Sequence, residues 1–450
     1  MDQRLLLTFY GDDFTGSADA MESLSLHGVR SVLFLSPPTP ELLQAKFPDI
    51  EAVGVAGASR AMTPAQMEAE LPAIFSQLQQ LNARLFHYKV CSTFDSSPNI
   101  GSIGKAYEIG QRVFHSPFVP LLVGAPVLKR YCVFGNLFAT VGDETFRLDR
   151  HPMMARHAVT PMDEGDLRLH LGRQTDATIA LFDLWRLSGT TDEVNKRFAA
   201  LRKEKPGIVL PRIILFDTLD EARLATAGRL IWESDARFVI GSSGVGYALT
   251  SHWQRPRVEY PSAGVVEQVI VMAGSCAAAT AAQIEWAEAN GYASLRLDAA
   301  LLLDETTAER ARLRQAALSL LAAGRSVVLY SARGPHDPAM QASNEILRQR
   351  GIDELTVRER LGQQQGLLLR ELLLASGVRR VCVAGGDTSS HAISQLGIYA
   401  LELRTPMVPG QPLNRAHADE ARLDGLEIAL KGGQHGRPNH FESIRRGALQ

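Results

Sequence analysis

Short apolar runs alternate with longer segments of helical periodicity along most of the chain. Segments such as PAQMEAELPAIFSQLQQL place apolar residues at three- and four-residue spacing, which is typical of a helix with one buried face. The alternation indicates βαβ units around a parallel sheet, and so an α/β fold. It predicts strands at residues 5–10, 31–35, 52–57, 85–90, 120–125, 178–183, 212–217, 237–242, 268–275, 326–332 and 379–386, with a further strand before Gly432.

One segment, HWQRPRVEYPSAG at residues 252–264, interrupts this rhythm with two prolines and a glycine. A chain of 450 residues is too long for one ordinary hydrophobic core. We therefore expect two Rossmann-like α/β domains with a cleft between them. The first covers residues 1–251, the second covers residues 265–450, and residues 252–264 form the linker.

Composition excludes several classes of protein. Hydrophobic residues make up 45% of the chain and charged residues 21%, which is an ordinary globular balance. The formal net charge of −2 does not favour binding to nucleic acid or to anionic membranes. The four cysteines are scattered without a CxxC pair, so neither a disulfide framework nor a zinc site is indicated, and a cytoplasmic protein is expected. No apolar run approaches the roughly 18 residues of a membrane span.

Two adjacent carboxylates, Asp12 and Asp13, follow the first predicted strand in the segment GDDFTG. Ligands of open α/β sheets bind beyond the carboxyl ends of the strands, which is where these residues would lie. One aspartate could simply cap the next helix. A pair suits a proton acceptor, a hydroxyl-binding group or a Mg²⁺ ligand better than a cap alone.

A second polar segment, FHYKVCSTFDSSPNIGSIG, follows the strand at residues 85–90. Lys89 could pair with an anionic substrate, and Arg60, which follows another strand, could bind a carboxylate. The groups suited to a polyol are those of Ser92, Thr93 and Asp95. The tail IGSIGKAY resembles a P-loop but departs from that pattern at both ends.

The second half of the chain carries three glycine-rich segments, VMAGSCAAATAAQI, VCVAGGDTSSHAISQL and LEIALKGGQHG. Glycines let the backbone approach an anion, and helix N-termini offer unpaired N–H groups, so the three together favour a nucleotide triphosphate. GSSGVG at residues 241–246 suggests a dinucleotide loop instead, but it does not follow the first strand and no suitably spaced acidic residue comes after it. An NAD(P)-dependent oxidoreductase is therefore the alternative enzyme class. A non-catalytic sugar-acid sensor is the alternative outside enzymes.

Six motifs in order resemble the four-carbon acid sugar kinase family, formerly the domain of unknown function DUF1537. They are GDDFTGSADA, KVCSTFDSSPNIGSIG, HPMMARHAVTPMDEGDL, AGSCAAATAAQ, AGGDTSS and ALKGGQHG. The CSTFDSS form is similar to the branch of 3-oxo-tetronate and 3-oxo-isoapionate kinases. The resemblance implies a kinase that uses ATP to phosphorylate the terminal hydroxyl of a small acid sugar.

The resemblance also implies a role for each domain. The N-terminal domain would bind the acid sugar through Asp12, Arg60 and the segment from Lys89 to Asp95. The C-terminal domain would bind ATP through Ser275, Gly385, Gly386, Asp387, Thr388 and Gly433.

We expect the protein to promote phosphoryl transfer mainly by positioning the reactants and compensating the charge of the phosphates. Asp12 or Asp13 would accept the proton of the attacking hydroxyl, with Asp95 a third candidate. Mg²⁺ would bridge the ATP phosphates and contact Asp387. The chain leaves open which acid sugar is used, and a homodimer is expected from the class of enzyme alone.

Overall fold

The structure is a computed structural model that describes residues 5–157, 159–203, 210, 212–304 and 307–448, without the side chains of residues 355 and 387–389. Its contacts divide the chain into two compact units, the first ending at Val258 and the second beginning at Glu259. This junction falls inside the segment expected to be a linker. All four cysteines are free thiols. Among the described residues, no helix combines the length and apolar character that a membrane span needs.

Unit 1 is built on an eight-stranded sheet with the strand order β2-β3-β1-β4-β11-β5-β10-β9, in which every neighbouring pair is parallel. Its strands are β1 (Leu7–Gly11), β2 (Ser31–Phe34), β3 (Ala52–Ala56), β4 (Leu85–Lys89), β5 (Val119–Leu122), β9 (Ile179–Phe182), β10 (Ile213–Phe216) and β11 (Phe238–Gly241). Its helices are α1 (Phe14–Ser25), α2 (Pro40–Lys46), α3 (Pro64–Gln80), α4 (Ile103–Phe114), α5 (Leu167–Gly172), α6 (Thr191–Arg202), α7 (Glu221–Glu233) and α8 (Gly244–His252).

A small antiparallel sheet is inserted in unit 1 between β5 and α5. It consists of β6 (Arg130–Val133), β7 (Asn136–Val141) and β8 (Glu144–Arg147) in that order. Two short 3₁₀ turns, Leu148–Arg150 and Met154–Arg156, follow it.

Unit 2 has the strand order β13-β14-β12-β15-β18-β17-β16. The strands are β12 (Ile270–Ala273), β13 (Ala293–Arg296), β14 (Val327–Tyr330), β15 (Arg380–Ala384), β16 (Ile398–Val408), β17 (Gln411–Ala418) and β18 (Glu427–Lys431). The helices are α9 (Ala278–Ala289), α10 (Ala299–Leu302), α11 (Ala308–Ala322), α12 (Pro338–Gln349), α13 (Glu354–Ser376), α14 (Gly386–Ser394) and α15 (His440–Arg446). The pairs from β13 to β18 are parallel, whereas β17 is antiparallel to both of its neighbours.

Burial explains why these segments become strands and helices. Every residue of β1 is buried, as expected for a parallel strand covered on both faces. Helix α3 begins with a capping box between Thr63 and Gln66 and buries Phe75 on its inner face. The Phe75 ring lies 4.9 Å from the ring of Phe86 on β4, which in turn stacks on Phe114 at 4.1 Å. Such aromatic contacts hold the helices on the sheet and thereby fix the positions of the strand ends.

The predicted α/β fold is confirmed, and each predicted strand coincides with an observed one. The sequence reading missed β6, β7, β8, β13, β16 and β17. These strands lie in the small antiparallel sheet, at an edge of the unit 2 sheet, or in its antiparallel part. Such strands are partly exposed and alternate in burial, so they lack the continuous apolar run that marks a buried parallel strand.

Glu442 on α15 anchors the last helix of unit 2. Its carboxylate accepts hydrogen bonds from the Tyr292 hydroxyl at 2.8 Å and from the Nε atoms of Arg445 and Arg446, each at 2.8 Å. The hydrogen bonds from Arg445 are the main reason that the pKa of Glu442 falls to about 2. A carboxyl with a depressed pKa stabilises the fold above its unfolded pKa, and this contribution is lost as the pH falls towards the folded pKa.

We expect Glu442→Gln to lower the free energy of unfolding at pH 7 by on the order of 2 kcal/mol. The difference from the unaltered protein should shrink as the pH falls from about 4.5 towards 2, because Glu442 becomes protonated in both states. Thermal unfolding followed by circular dichroism at several pH values measures this, with the exposed Glu285→Gln as control. A difference that does not change with pH would contradict the assignment.

Candidate functional site

The predicted residues of unit 1 converge at the carboxyl ends of three neighbouring strands. Asp12 directly follows β1, Arg60 lies in the turn after β3, and Lys89 is the last residue of β4. Because β1 pairs with both β3 and β4 in parallel, these three ends lie side by side. Backbone hydrogen bonds fix the arrangement, since the Arg60 N–H donates to the Asp12 carbonyl at 3.0 Å and the Asp12 N–H donates to the Lys89 carbonyl at 2.9 Å.

Arg60 joins the two adjacent carboxylates. Its Nε donates to Asp12 Oδ2 at 3.1 Å, and its Nη2 donates to Asp12 Oδ1 at 2.7 Å and to Asp13 Oδ1 at 2.8 Å. The bidentate pairing with Asp12 sets the plane of the guanidinium. Among the described residues, Nη1 of Arg60 has no hydrogen-bond partner, and a quarter of the side chain is exposed. Arg60 can therefore donate further hydrogen bonds to an anionic ligand.

The protonation states of this cluster follow from burial and charge. Burial raises the pKa of the Asp12 carboxyl, and the Arg60 guanidinium acts in the opposite direction. Burial alone would lower the pKa of Arg60, but the carboxylates of Asp12 and Asp13 hold it above its ordinary value. Arg60 therefore stays charged, and one cation is shared by two carboxylates.

Asp13 differs from Asp12 in exposure and in its partners. The Asp12 side chain is 3% exposed and both of its oxygens accept from Arg60, whereas the Asp13 side chain is 19% exposed. Asp13 Oδ1 caps α1 by accepting from the Gly16 N–H at 3.0 Å. Its Oδ2 has no hydrogen-bond partner among the described residues. The helix cap is therefore one role of Asp13, and one carboxylate oxygen remains available.

Lys89 is buried below the first turn of α1. Its Nζ lies 3.7 Å from Asp19 Oδ2 and is only 2.8 Å from where a Cβ of residue 16 would be, so Gly16 is the residue that makes room for it. Burial raises the pKa of Asp19, with the Lys89 charge acting in the opposite direction. Lys89 thus supplies positive potential beneath the site, and its predicted direct contact with a substrate stays a prediction.

The segment after β4 turns sharply at Phe94, whose φ of 59° is rare for an aromatic residue. This turn places the Thr93 hydroxyl 2.6 Å from Asp95 Oδ1, to which it donates, and 2.9 Å from Cys91 Sγ. Thr93 and Asp95 are almost fully buried, and Ser92 is half-buried in the same turn. We call the side chains of Ser92, Thr93 and Asp95 the polar wall; they follow β4, whose end lies beside that of β1, and their predicted contact with a substrate stays a prediction.

Two residues that the sequence reading did not assign to the site lie on the small sheet and on the turn that follows it. Arg130 begins β6 and forms a β-bridge with Ala125, which follows β5. His151 follows β8, is 1% exposed, and its ring lies 6.2 Å from the ring of Phe146 on β8. The available sequence signal for His151 was the family motif HPMMARHAVTPMDEGDL, which begins with it.

Two glycine-rich segments of unit 1 have packing roles. In GSSGVG, a Cβ on Gly241 would lie 2.1 Å from the Leu122 carbonyl oxygen, and one on Gly244 would lie 2.1 Å from the Gly124 carbonyl oxygen. The segment is therefore packed against β5 and the residues after it rather than open to a dinucleotide. In the segment that resembles a P-loop, Ser102 caps α4 and Lys105 pairs with Glu68 at 2.6 Å.

The predicted nucleotide residues of unit 2 also lie at neighbouring strand ends. β15 pairs in parallel with β12 on one side and β18 on the other, so Ser275, Gly385 and Gly433 follow adjacent strands. A Cβ on Gly433 would lie 2.2 Å from Ser275 Oγ, which shows how closely two of the loops approach each other. Helices α9 and α14 both begin here without a side-chain cap. Uncapped helix N-termini at a glycine loop are suited to phosphate.

A buried cation supports these loops. Lys431 is fully buried at the end of β18, and its Nζ donates to Thr280 Oγ1 at 3.0 Å, to the Gly432 carbonyl at 3.0 Å and to the Gly433 carbonyl at 3.1 Å. Burial lowers the pKa of Lys431 to about 8. The ammonium group ties the Gly433 loop to α9 and adds positive charge near the N-termini.

The remaining predicted nucleotide residues can be placed only in part. Gly386 is exposed at the first position of α14, and among the described residues no atom outside its own helical turn lies within 4 Å of where its Cβ would be. The side chains of Asp387 and Thr388 lie outside the described part of the structure. Among the described residues, no group of three or more His, Cys, Asp or Glu side chains could hold a metal ion.

Comparison with known families matches both units. Residues 7–249 match the family described as the sugar-binding N-terminal domain, and residues 270–441 match the family described as the nucleotide-binding C-terminal domain. The chain belongs to the four-carbon acid sugar kinase family. It is accordingly a carbohydrate kinase, as its sequence predicted.

Named relatives cover almost the whole chain. The 3-oxo-isoapionate kinase of Paraburkholderia graminis is 46% identical over 454 residues, which cover 99% of this chain and 95% of the relative. The 3-oxo-tetronate kinase of Cupriavidus necator is 31% identical and covers 98% of this chain and 97% of the relative.

Solved structures share the fold. A Salmonella typhimurium LT2 protein described as a tRNA synthase superposes with a TM-score of 0.77 at 23% identity, covering 98% of each chain. A Haemophilus influenzae protein of the DUF1537 family gives a TM-score of 0.71 at 23% identity, covering 97% of this chain and 99% of the other.

We expect Gly386→Val to raise the KM for ATP by on the order of tenfold or more, because the new side chain meets no described atom outside its own helical turn and would occupy space next to the glycine loop. The melting temperature and the KM for the sugar should change little. Gly172→Val is the matched control, since a Cβ there also meets no atom within 4 Å. An unchanged KM for ATP would remove Gly386 from the nucleotide site.

Proposed function

We propose that this kinase transfers the γ-phosphate of ATP to the terminal hydroxyl of a 3-oxo acid sugar of the 3-oxo-isoapionate type. The observation that carries this proposal is the 46% identity to a 3-oxo-isoapionate kinase across nearly the full length of both chains. The polar groups at the strand ends of unit 1 support it, because they offer both cationic and carboxylate partners for such a molecule. Residues 1–251 would bind the acid sugar, and residues 265–450 would bind the nucleotide.

In this proposal Arg60 binds the substrate carboxylate through its unpaired Nη1, while Asp12 and Asp13 hold its other nitrogens. Guanidinium groups suit carboxylates because they present parallel N–H donors at fixed spacing. Lys89 adds positive potential from below. The groups that bind the substrate hydroxyls would be those of Ser92, Thr93 and Asp95.

Asp13 is the proposed proton acceptor. A general base needs an oxygen that can reach the attacking hydroxyl, and both oxygens of Asp12 are already occupied by Arg60. Asp95 uses one oxygen for Thr93 and is nearly buried. The Asp13 side chain is 19% exposed, and its Oδ2 has no hydrogen-bond partner among the described residues. Asp12 then acts by orienting Arg60.

ATP would be held by Ser275, Gly385, Gly386, Thr388 and Gly433, with the N-termini of α9 and α14 directed at the phosphates. Mg²⁺ would neutralise phosphate charge. Mg²⁺ keeps several waters and commonly takes few protein ligands, so the lack of a metal cluster among the described residues is compatible with it. Asp387 is the proposed protein contact.

The proposal also includes a cellular location and an oligomeric state. The four free, widely spaced cysteines support a reducing cytoplasm. A homodimer stays a prediction from the class of enzyme. Neither alternative class, the NAD(P)-dependent oxidoreductase or the sugar-acid sensor, gains support, because GSSGVG is packed against protein atoms and both units match kinase families.

The proposal predicts ATP-dependent ADP release with 3-oxo-isoapionate at a kcat/KM at least about tenfold above that for 3-oxo-tetronates, threonate and erythronate. A coupled ADP assay across these compounds measures it, with absorbance of added NADH in the absence of coupling enzymes as the control for oxidoreductase activity. A higher kcat/KM for a four-carbon substrate would contradict the proposed substrate. If none of these compounds causes ADP release, that result would contradict the kinase assignment of the site.

A further inference from the structure

His151 carries a buried hydrogen-bond donor for which the described residues offer no acceptor. Its Nδ1 accepts from the Met153 and Met154 N–H groups, both at 3.2 Å. Nδ1 is therefore the unprotonated nitrogen, and the ring proton of the neutral imidazole lies on Nε2. The side chain is 1% exposed, and Nε2 has no hydrogen-bond partner among the described residues. Burial lowers the pKa of His151, so the ring is neutral at pH 7.

A second unpaired donor lies on the same small sheet. Arg130 is opposite Ala139, Ala139 is opposite Phe146, and the Phe146 ring lies 6.2 Å from the His151 ring. Arg130 Nη1 donates to the carbonyls of Leu128 at 3.0 Å and Lys129 at 3.2 Å, which anchors the start of the small sheet. Its Nε is also buried and has no hydrogen-bond partner among the described residues. An unpaired buried donor destabilises a fold, so two of them on one small sheet are candidates for hydrogen bonds to a ligand.

Arg130 lies at the edge of the sheet that carries the polar wall. It forms a β-bridge with Ala125, which follows β5, and β5 lies two strands from β4, whose carboxyl end leads into Thr93 and Asp95. The electrostatic effect of Asp95 on both Arg130 and His151 agrees with this placement. The amides of Met153 and Met154 occupy one side of the His151 ring, which directs Nε2 away from its own segment. Two donors together suit an oxygen that accepts hydrogen bonds and carries no proton, such as a keto or carboxylate oxygen.

We propose that His151 Nε2 and Arg130 Nε bind an unprotonated oxygen of the acid sugar, and that the small sheet β6–β8 exists to hold them there. This inference rests on the proposed function, because it takes the acid sugar as the ligand. It gives the HPMMARHAV motif a role in substrate recognition. His151 is a specificity residue that contacts the substrate without taking its proton.

Two substitutions of His151 separate the effect of the Nε2 donor from that of the Nδ1 acceptor. His151→Asn keeps an acceptor near the Nδ1 position for the Met153 and Met154 amides but removes the donor at Nε2. His151→Gln reaches the Nε2 position with an amide N–H and keeps the donor. His157→Asn is the matched control, because His157 Nδ1 likewise accepts a backbone N–H, from Thr160 at 3.1 Å, but the ring is more exposed.

Calorimetry would measure the Kd of 3-oxo-isoapionate and of its analogue with the keto group reduced to a hydroxyl for each variant, with ADP release recorded in parallel. We expect His151→Asn to weaken binding about tenfold or more, His151→Gln to weaken it less, and His157→Asn to leave it unchanged. If only the 3-oxo compound loses affinity, His151 binds the keto oxygen. If both compounds lose affinity equally, His151 binds the carboxylate.

Unchanged binding in a folded His151→Asn variant would overturn the inference, and so would equal losses in the Asn and Gln variants. If the unaltered protein binds the acid sugars but releases no ADP, the proposed function fails while the comparison still decides the role of His151. If it binds neither compound, the inference fails with the substrate class.

Discussion

The shared guanidinium of Arg60 is the interaction on which the site of unit 1 depends. Two adjacent carboxylates in a mostly buried position would repel each other and lose hydration, and one of them would be driven to bind a proton. Arg60 compensates both charges with Nε and Nη2. It can do so only because β3 and β1 are parallel neighbours, which brings the turn after β3 to the end of β1. The strand order of the sheet therefore determines the chemistry of the Asp12–Asp13 pair.

In both units the candidate site residues follow the carboxyl ends of neighbouring parallel strands, but the chemical groups at these ends differ. In unit 1 the ends of β3, β1 and β4 carry charged side chains that suit a small polar acid. In unit 2 the ends of β12, β15 and β18 carry glycines and uncapped helix N-termini, which suit phosphate because the backbone itself supplies the donors. Lys431 gives unit 2 a buried cation whose three donors go to protein oxygens. Fixed dipoles and fixed charges of this kind need little rearrangement when phosphate binds.

The parts of this arrangement that could be read from sequence are those set by continuous burial. Parallel strands covered on both faces leave long apolar runs, and the residues that follow each run lie at the functional edge, so Asp12, Arg60, Lys89 and Gly385 could be named without a structure. The antiparallel strands alternate in burial, as β16 does, and their segments lacked that signal. The position of His151 depends on the three-stranded insertion, so its role could not be derived from spacing.

The different roles proposed for Asp12 and Asp13 also could not be predicted from the sequence. Both residues have the same side chain and occupy consecutive positions, so only their burial and their hydrogen-bond partners in the folded protein distinguish them. Arg60 occupies both oxygens of Asp12, whereas Asp13 caps α1 with one oxygen and leaves the other without a hydrogen-bond partner among the described residues. We therefore propose that Asp12 orients Arg60 and that Asp13 accepts the proton.

The most direct test of this account is a comparison of steady-state kinetics for Asp13→Asn and Asp12→Asn. Asparagine at position 13 can still accept the Gly16 N–H and cap α1, so the fold should be retained. The account predicts that Asp13→Asn lowers kcat by on the order of a hundredfold or more with little change in the KM for either substrate, whereas Asp12→Asn mainly raises the KM for the acid sugar. Near-normal turnover in a folded Asp13→Asn variant would contradict the account.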